Sequence, residues 1–320
     1  NKFQLNGLIT DIKLTCPEYY SQAHSQVLQN VSDRLHKAFD SFFRRIKEGA
    51  KEKGFPRFKS KIMSITYPQS VDGRGKRCGF WFVNSNRLHA TKIGSIPIVL
   101  HRVPKGKIKT MTIKQNKAGQ WFATFCCELP DVVVKHISSE KVGIDVGLES
   151  FATLSNGEFI ANPRHIAKSE KRVKLLHRRL SRKVKGSANR RKARFRLSKA
   201  YLKVTNQRSD FLHKLSRKIV TKFSTIAVED LKVANMVRNH HLAKHISDAS
   251  WSSFINMLSY KAVTSGGQLV KVNPRGTSKT CSKCGNIQEM PLIQREFLCS
   301  ACGFVCHRDL NSAYNILVRA

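Results

Sequence analysis

Two Cys-x-x-Cys-Gly units, Cys281 to Gly285 and Cys299 to Gly303, stand with fourteen residues between their inner cysteines. No other feature narrows the fold of this chain as much. Paired thiolates across tight turns suit the corners of a tetrahedral metal site, and a glycine after each pair can take positive φ and turn backbone N–H groups toward the sulfurs. The spacing predicts a four-Cys zinc ribbon on Cys281, Cys284, Cys299 and Cys302; the competing readings are a disulfide pair or unrelated core cysteines. The other five cysteines, Cys16, Cys78, Cys126, Cys127 and Cys306, are scattered and odd in number, as packing residues in a reducing cytosol would be.

Charge sets the next limit. Lys and Arg number 58 against 21 Asp and Glu, a formal net charge of +37 over 320 residues. Self-repulsion of that size calls for a polyanionic partner, and nucleic acid is the partner expected. A membrane-surface reading finds no lipidation motif, long apolar run or secretory signal to support it, so no membrane partner and a cytoplasmic location are expected. An apolar fraction of 41% over this length predicts two or three domains with real cores rather than disorder.

The residues up to Thr15 alternate briefly over Leu8–Leu14 and, lacking an initiating Met, read as the remainder of a longer N-terminus. From Ser21 to about Lys47, Val27, Leu28, Val31, Leu35, Ala38, Phe39, Phe42 and Ile46 recur at helical spacing, and Gly54-Phe55-Pro56 ends the pattern. Residues 60–137 switch to short alternating runs between Gly, Asn and Pro turns, which predicts an antiparallel β-domain, a small barrel, with a hairpin at Asn116–Gly119. Its aromatics Trp81, Trp121 and Phe125 fit core positions better than base-stacking ones. Between Lys168 and Lys203, sixteen of thirty-six residues are basic and one, Glu170, is acidic. Apolar residues keep helical spacing on either side of Gly186-Ser187, so the segment predicts two basic helices. A merely solvated face would interleave acids, and this pattern instead points to phosphate-backbone binding. The loop histidines His240, His241 and His245 suit no motif and are expected at the surface.

Three acids stand apart from this basic background. Asp145 lies between glycines in the apolar strand Val142–Gly147, where glycine would permit close approach of a phosphate. Glu229 and Asp230 are the two acids at the end of the apolar strand Ser224–Leu231, and Asp309 opens a short helix after the cysteines with Ala313 and Ile316 on its inner face. Carboxylates from rigid, distant segments are what a two-metal phosphodiesterase needs, with two Mg²⁺ ions activating water and stabilising the leaving oxygen. Acids at strand ends and in glycine turns also serve as caps and for solubility, so both readings stay open on residue type alone.

The motifs in their order carry a resemblance. Gly143–Gly147, Val228–Leu231, Asp248–Trp251 with Phe254, Tyr260–Ala262, Thr277-Ser278 before the first cysteine pair and Arg308–Asn311 together resemble the TnpB (OrfB) family of transposon-encoded proteins, presumed ancestors of type V CRISPR effectors. Gly54–Lys59 and the β-region extend the likeness over nearly the whole chain. The resemblance implies an α+β multidomain protein: a helical recognition segment (1–54), a β-barrel wedge-type domain (55–138), an RNase H-like (RuvC-like) α/β nuclease domain (139–275) with a basic helical insertion (165–218), a zinc ribbon (276–305) and a final nuclease segment (306–320). It implies a guide RNA and target DNA as partners, cleavage beside a target-adjacent motif, Asp145, Glu229 and Asp309 as catalytic Mg²⁺ ligands, and structural zinc on the four cysteines. Arg57, Lys59, Arg172, Arg178, Arg179, Arg182, Arg190, Arg191 and Arg194 are the nucleic-acid contacts expected. A nuclease-silent repressor and an unguided transposition protein are the alternatives.

Overall fold

The computed structural model describes every residue except 1, 21, 59–61, 72–76, 132–133, 137, 241 and 292. The chain divides into two units, Asn1–Asp131 and Val132–Ala320. The first opens with helices α1 (Lys2–Thr15), α2 (Pro17–Tyr20) and α3 (Ser25–Lys47). The brief alternation at Leu8–Leu14 lies inside α1. In α3 the apolar stripe is only partly used. Val27 joins the β-core, and Phe39 and Phe42 meet the Phe55 ring edge-on at 5.7 and 5.2 Å. Arg45 ties down the same turn by donating to the carbonyls of Lys53 and Gly54.

Strands β1 (Ser64–Pro68), β2 (Ser70–Val71), β3 (Arg77–Cys78), β4 (Phe80–Asn84), β5 (Arg87–Ala90), β6 (Gly94–Pro97), β7 (Lys107–Gln115) and β8 (Trp121–Glu128) follow. They pair antiparallel, as expected, but in separate sheets β1-β7-β8, β4-β5-β6 and β2-β3; no closed ring of hydrogen bonds joins them among the described residues. The β7–β8 hairpin turns where predicted. Asn116 Oδ1 accepts from the amides of Ala118 and Gln120, and Gly119 takes φ +77°. Tyr67, Phe80, Leu88 and Met111 form the core, against which Phe125 packs, whereas Trp121 is 64% exposed and departs from the core reading. Trp81 stacks on His89 at 4.1 Å between ring centres.

The second unit is organised by one five-stranded sheet, order β11-β10-β9-β12-β13, made of β9 (Lys141–Val146), β10 (Ser150–Leu154), β11 (Phe159–Ala161), β12 (Thr225–Glu229) and β13 (Gln268–Val272). β9, β10 and β11 are antiparallel neighbours, while β12 runs parallel to both β9 and β13. Helices α4 (His165–Ser181), α5 (Ala188–Lys222), α6 (Val233–Met236), α7 (Ala243–Ala249) and α8 (Trp251–Thr264) lie between these strands in sequence. Period-two alternation sorts the central strands: Val142, Ile144, Ile226 and Val228 face the main core with Leu212, Ile219, Phe254 and Leu258 of α5 and α8. Burying each such side chain contributes about 1.5–3 kcal/mol.

The basic segment forms the two helices expected, with Ser187 accepting from the Arg190 amide as N-cap at the predicted break. α5 is longer than its basic stretch: it runs unbroken for 35 residues, and Leu212, Leu215, Ile219 and Val220 bury its second half in the core. Lys261 of α8, 5% exposed, ties the two helices by donating to Ser216 Oγ and the His213 carbonyl. Asp248 accepts from Arg208 of α5 at 2.9 Å and from the Ile166 amide at 3.0 Å, which fixes the start of α4. A ribbon with β14 (Glu296–Leu298) and β15 (Val305–His307) leads into α9 (Arg308–Val318), which covers the other face of the sheet.

Candidate active site and metal centre

Strand register brings two of the three acids together. Ile144 of β9 is paired with Val228 of β12, so the next residues, Asp145 and Glu229, lie at the carboxyl-terminal ends of adjacent parallel strands at the same level, one residue before the end of β9 and at the end of β12. Both point away from the main core, to the side where Ala227, Val270 and Val272 pack on Ile316 of α9. Asp309 lies in the first turn of that helix, at an end where the helix dipole favours an anion. His307 caps the helix by accepting from the Asp309 amide at 3.2 Å, and Phe159 of β11 packs edge-on against its ring at 5.0 Å. Asp230, the second acid of the strand end, is exposed and faces Lys271 at 3.4 Å, outside the cluster.

The cluster is electrostatically costly in the absence of cations. Burial, then the carboxylates of Glu229 and Asp309, hold the Asp145 carboxyl well above its ordinary pKa, partly offset by Arg308 and the Val146 amide. Burial also raises Glu229, while the Thr277 hydroxyl, which donates to its Oε1 at 2.5 Å, and Arg319 act in the opposite direction. Arg308 approaches Asp309 at 3.5 Å and also donates to the carbonyls of Pro291 and Gln294. Such an oxygen-only, like-charged set suits hard divalent cations. Among the described residues, only the cysteines form a group of three or more His, Cys, Asp or Glu whose ligand atoms all lie within 4.8 Å of one another. The three carboxylates are thus spread wider than a single Mg²⁺ bound by all of them would allow, since its ligand oxygens sit at about 2.0–2.1 Å from it.

Glycine at 143 serves a different purpose from the phosphate approach expected of it. A Cβ there would fall 2.1 Å from the Ala313 carbonyl oxygen and 2.7 Å from the Leu317 amide, so only glycine lets α9 lie directly on β9. That packing is what delivers Asp309 to Asp145. Gly147 is a turn residue, 2.9 Å from the Ser150 carbonyl at the same virtual Cβ.

The thiolates meet as predicted. Sγ of Cys281 and Cys302 are 3.8 Å apart and those of Cys284 and Cys299 3.5 Å, close to the edge of about 3.8 Å of a tetrahedron with bonds of about 2.3 Å. The two turns repeat one hydrogen-bond pattern. Cys281 and Cys299 donate to the carbonyls of Asn286 and Phe304, while Gly285 (φ +80°) and Gly303 (φ +69°) donate back to the first cysteine of each pair. The Cys302 amide, with that of Ala301, is aimed at Cys299 and lowers its thiol to about 6.

Several contacts that hold these sites together were not legible in the sequence. Asn315, on the inner face of α9, donates to the carbonyls of Thr277 and Thr280, and Asn311 one turn earlier donates to Thr280 and accepts from the Ser282 amide. Two asparagines four apart, on one face of a helix that carries Ala313 and Ile316 on another, were the available sign. Arg319 grips the carbonyls of Asn273 and Arg275. Arg295 pairs with Glu149 at 2.8 Å, joining the ribbon to the β9–β10 turn.

Of the expected nucleic-acid contacts, Arg172, Arg178, Arg179, Arg182, Arg191 and Arg194 are exposed along α4 and α5, and Arg57 is exposed in the first unit. Lys59 lies outside the described residues, as does His241; His240 and His245 are exposed. Arg190 is committed internally: its guanidinium donates to the carbonyls of Leu180 and Lys183 and closes the end of α4. Glu170 is already neutralised, since Lys174 and then Lys244 hold it down to about 2. A cleft of about 530 Å³ between the two helices is lined by Arg179, Lys183, Lys192 and Arg196. No helix among the described residues is long and apolar enough to cross a membrane.

Comparison with known proteins gives a consistent answer. Residues 124–240 match the OrfB_IS605 family, described as "Probable transposase", and residues 251–316 match the Cas12f1-like TNB domain. The chain is 37% identical over 303 residues to a "Putative RNA-guided DNA endonuclease" of Streptomyces pristinaespiralis, covering 93% of this chain and 72% of that protein. It is 31% identical to the "Putative RNA-guided DNA endonuclease InsQ" of Escherichia coli K12, covering 94% and 75%. In structure it resembles the protein of a Cas12f1-sgRNA-target DNA complex with a TM-score of 0.59 at 17% identity, covering 98% of this chain and 79% of that one. With two such relatives covered over more than two thirds of their length, the chain belongs to the TnpB family of RNA-guided nucleases related to type V effectors.

Proposed function

We propose that this chain is an RNA-guided DNA endonuclease whose α/β unit is a RuvC-like, RNase H-type nuclease and whose first unit contains the wedge-type β-domain. The observation that carries the reading is the strand register that sets Asp145 beside Glu229 on the face covered by α9, with Asp309 close enough to raise Asp145. Sheet order and the buried like-charged carboxylates support it. Asp145, Glu229 and Asp309 are the residues that would hold two Mg²⁺ ions. Held there, Mg²⁺ would supply activation of a water nucleophile and charge stabilisation of the leaving 3′-oxygen.

The protein's own part is positional. β9 and β12 fix two carboxylates on a rigid sheet, α9 delivers the third, and Thr277 and Arg308 restrain two of them. The exposed arginines of α4 and α5 hold guide RNA and heteroduplex through the phosphate backbone, while base pairing supplies the sequence and a target-adjacent motif licenses the cut. The four cysteines hold one structural zinc, with no open position for substrate.

The test is programmability. In the complex with its guide RNA, rewriting only the guide's terminal segment should move cleavage to the matching DNA beside the same target-adjacent motif. Cleavage that ignores the guide, or proceeds equally without RNA, removes the guided reading. EDTA should stop the reaction and Mg²⁺ alone should restore it in protein whose zinc content is unchanged; failure of that restoration removes the Mg²⁺ assignment.

A further inference from the structure

We infer that Thr277 is a positioning residue for the divalent-cation site, holding Glu229 in its ligating orientation; this rests on the carboxylate reading above. Thr277 sits in the loop between β13 and the first cysteine turn and is 4% exposed. Its Oγ1 lies 2.5 Å from Glu229 Oε1 and 3.2 Å from the Pro274 carbonyl. A hydroxyl has one proton, and the nearer, charged oxygen takes it. That bond occupies one lone pair of Oε1 and restrains the carboxylate, leaving Oε2 and the second lone pair of Oε1 for a cation.

The donor itself is held from α9. Asn315 Nδ2 donates to the Thr277 carbonyl at 2.8 Å and to that of Thr280 at 2.6 Å, and Asn311 Nδ2 donates to Thr280 at 2.7 Å. Asn311 is 0% exposed and Asn315 7%. One short helix therefore carries Asp309 in its first turn and, through Asn311 and Asn315 within the next two turns, clamps the loop whose hydroxyl orients Glu229. The ligand from α9 and the ligand from β12 are set by the same element, and the loop that links them runs directly into Cys281. Outer partners of this kind typically change metal affinity by about 10–100-fold when removed.

The experiment compares Thr277→Val, Thr277→Ala and Thr277→Ser in the full chain with its RNA. Mn²⁺ binding is read by electron paramagnetic resonance, alongside the Mg²⁺ concentration giving half-maximal cleavage, melting temperature and zinc content. Val keeps the shape without the donor, Ala lacks both, and Ser keeps the donor without the methyl. Positioning predicts that Val and Ala both weaken Mn²⁺ binding and raise the Mg²⁺ requirement by about 10–100-fold, with cleavage recovering at high Mg²⁺, while Ser stays close to the unaltered chain. A purely structural role predicts that Ser falls with Ala, and that grouping overturns the inference. Unchanged Mn²⁺ affinity in Val overturns it as well, provided Asp145→Asn weakens binding in the same assay. If Asp145→Asn does not weaken it, the carboxylate site is what fails.

Discussion

The thiol cluster and the carboxyl cluster reach the same end, several acidic side chains gathered in one place, by opposite routes. The thiolates come from two turns within residues 281–302, each shaped by its own glycine and its own backbone hydrogen bonds. The carboxylates come from β9, β12 and α9, and nothing local to any of them brings it near the others. Their meeting depends on parallel register, on a glycine that admits a helix, and on two buried asparagines. The first site is a property of a segment, the second a property of the assembled fold.

The largest effect expected from this contrast is in chemistry. Asp145→Asn should reduce cleavage by about a thousandfold or more while leaving RNA affinity, read by filter binding, unchanged; retention of normal cleavage would take Asp145 out of the site. The same variant should stabilise the cation-free protein. Because folding raises the Asp145 pKa, the stability tied to its protonated form is complete below the unfolded-state value of about 3.9 and is lost as pH rises through the higher folded value. Thermal melts in chelator at rising pH should show that loss in the unaltered chain, less of it in Asp145→Asn, and relief on adding Mg²⁺.

Next in size is Cys284→Ser, which should lower bound zinc and melt the ribbon early. If the two sites were independent, cleavage would be unaffected. Since the ribbon's root carries Thr277 and contacts Asn311 and Asn315, cleavage should instead fall by about tenfold, with zinc counted by atomic absorption. Smallest, and most diagnostic, is Gly143→Ala. A single methyl between β9 and α9 should cost about 1–3 kcal/mol in denaturant melts and impair cleavage through displaced Asp309, while zinc content stays at that of the parent. Loss of zinc in that variant would mean that the thiolate site also depends on the assembled fold.

The contrast also explains what could be read from residues alone. The cysteines were legible because their geometry is encoded in spacing and in the glycine after each pair. Asp145 and Glu229 were legible as acids on apolar strands, but their adjacency is a matter of register, which no local pattern specifies. Gly143 was misread because a glycine beside an acid looks the same whether a phosphate or a helix approaches it. Arg190 was counted with its neighbours as a nucleic-acid contact because charge says nothing of orientation, and only the fold reveals that its guanidinium closes α4. Thr277 was visible only as part of a motif, and its bond to Glu229 was not legible because the two lie 48 positions apart. Trp121 shares the face of Ala123 and Phe125 but stands at the hairpin end of β8, past the residues that reach the core, and alternation alone does not say where along a strand the core stops.

The uninterrupted course of α5 has a mechanical meaning. At 35 residues and about 1.5 Å per residue the helix is a rod on the order of 50 Å long, cationic over its first half and embedded among Phe254, Leu258 and the central strands over its second. It is a braced beam, since α4 lies along the cationic half and Leu197 and Val204 are buried there. A polyanion drawn against that half would load both helices together, and the moment would be borne where Leu212, Leu215 and Ile219 are rooted, in the core they share with Ile144 and Val228, the neighbours of Asp145 and Glu229.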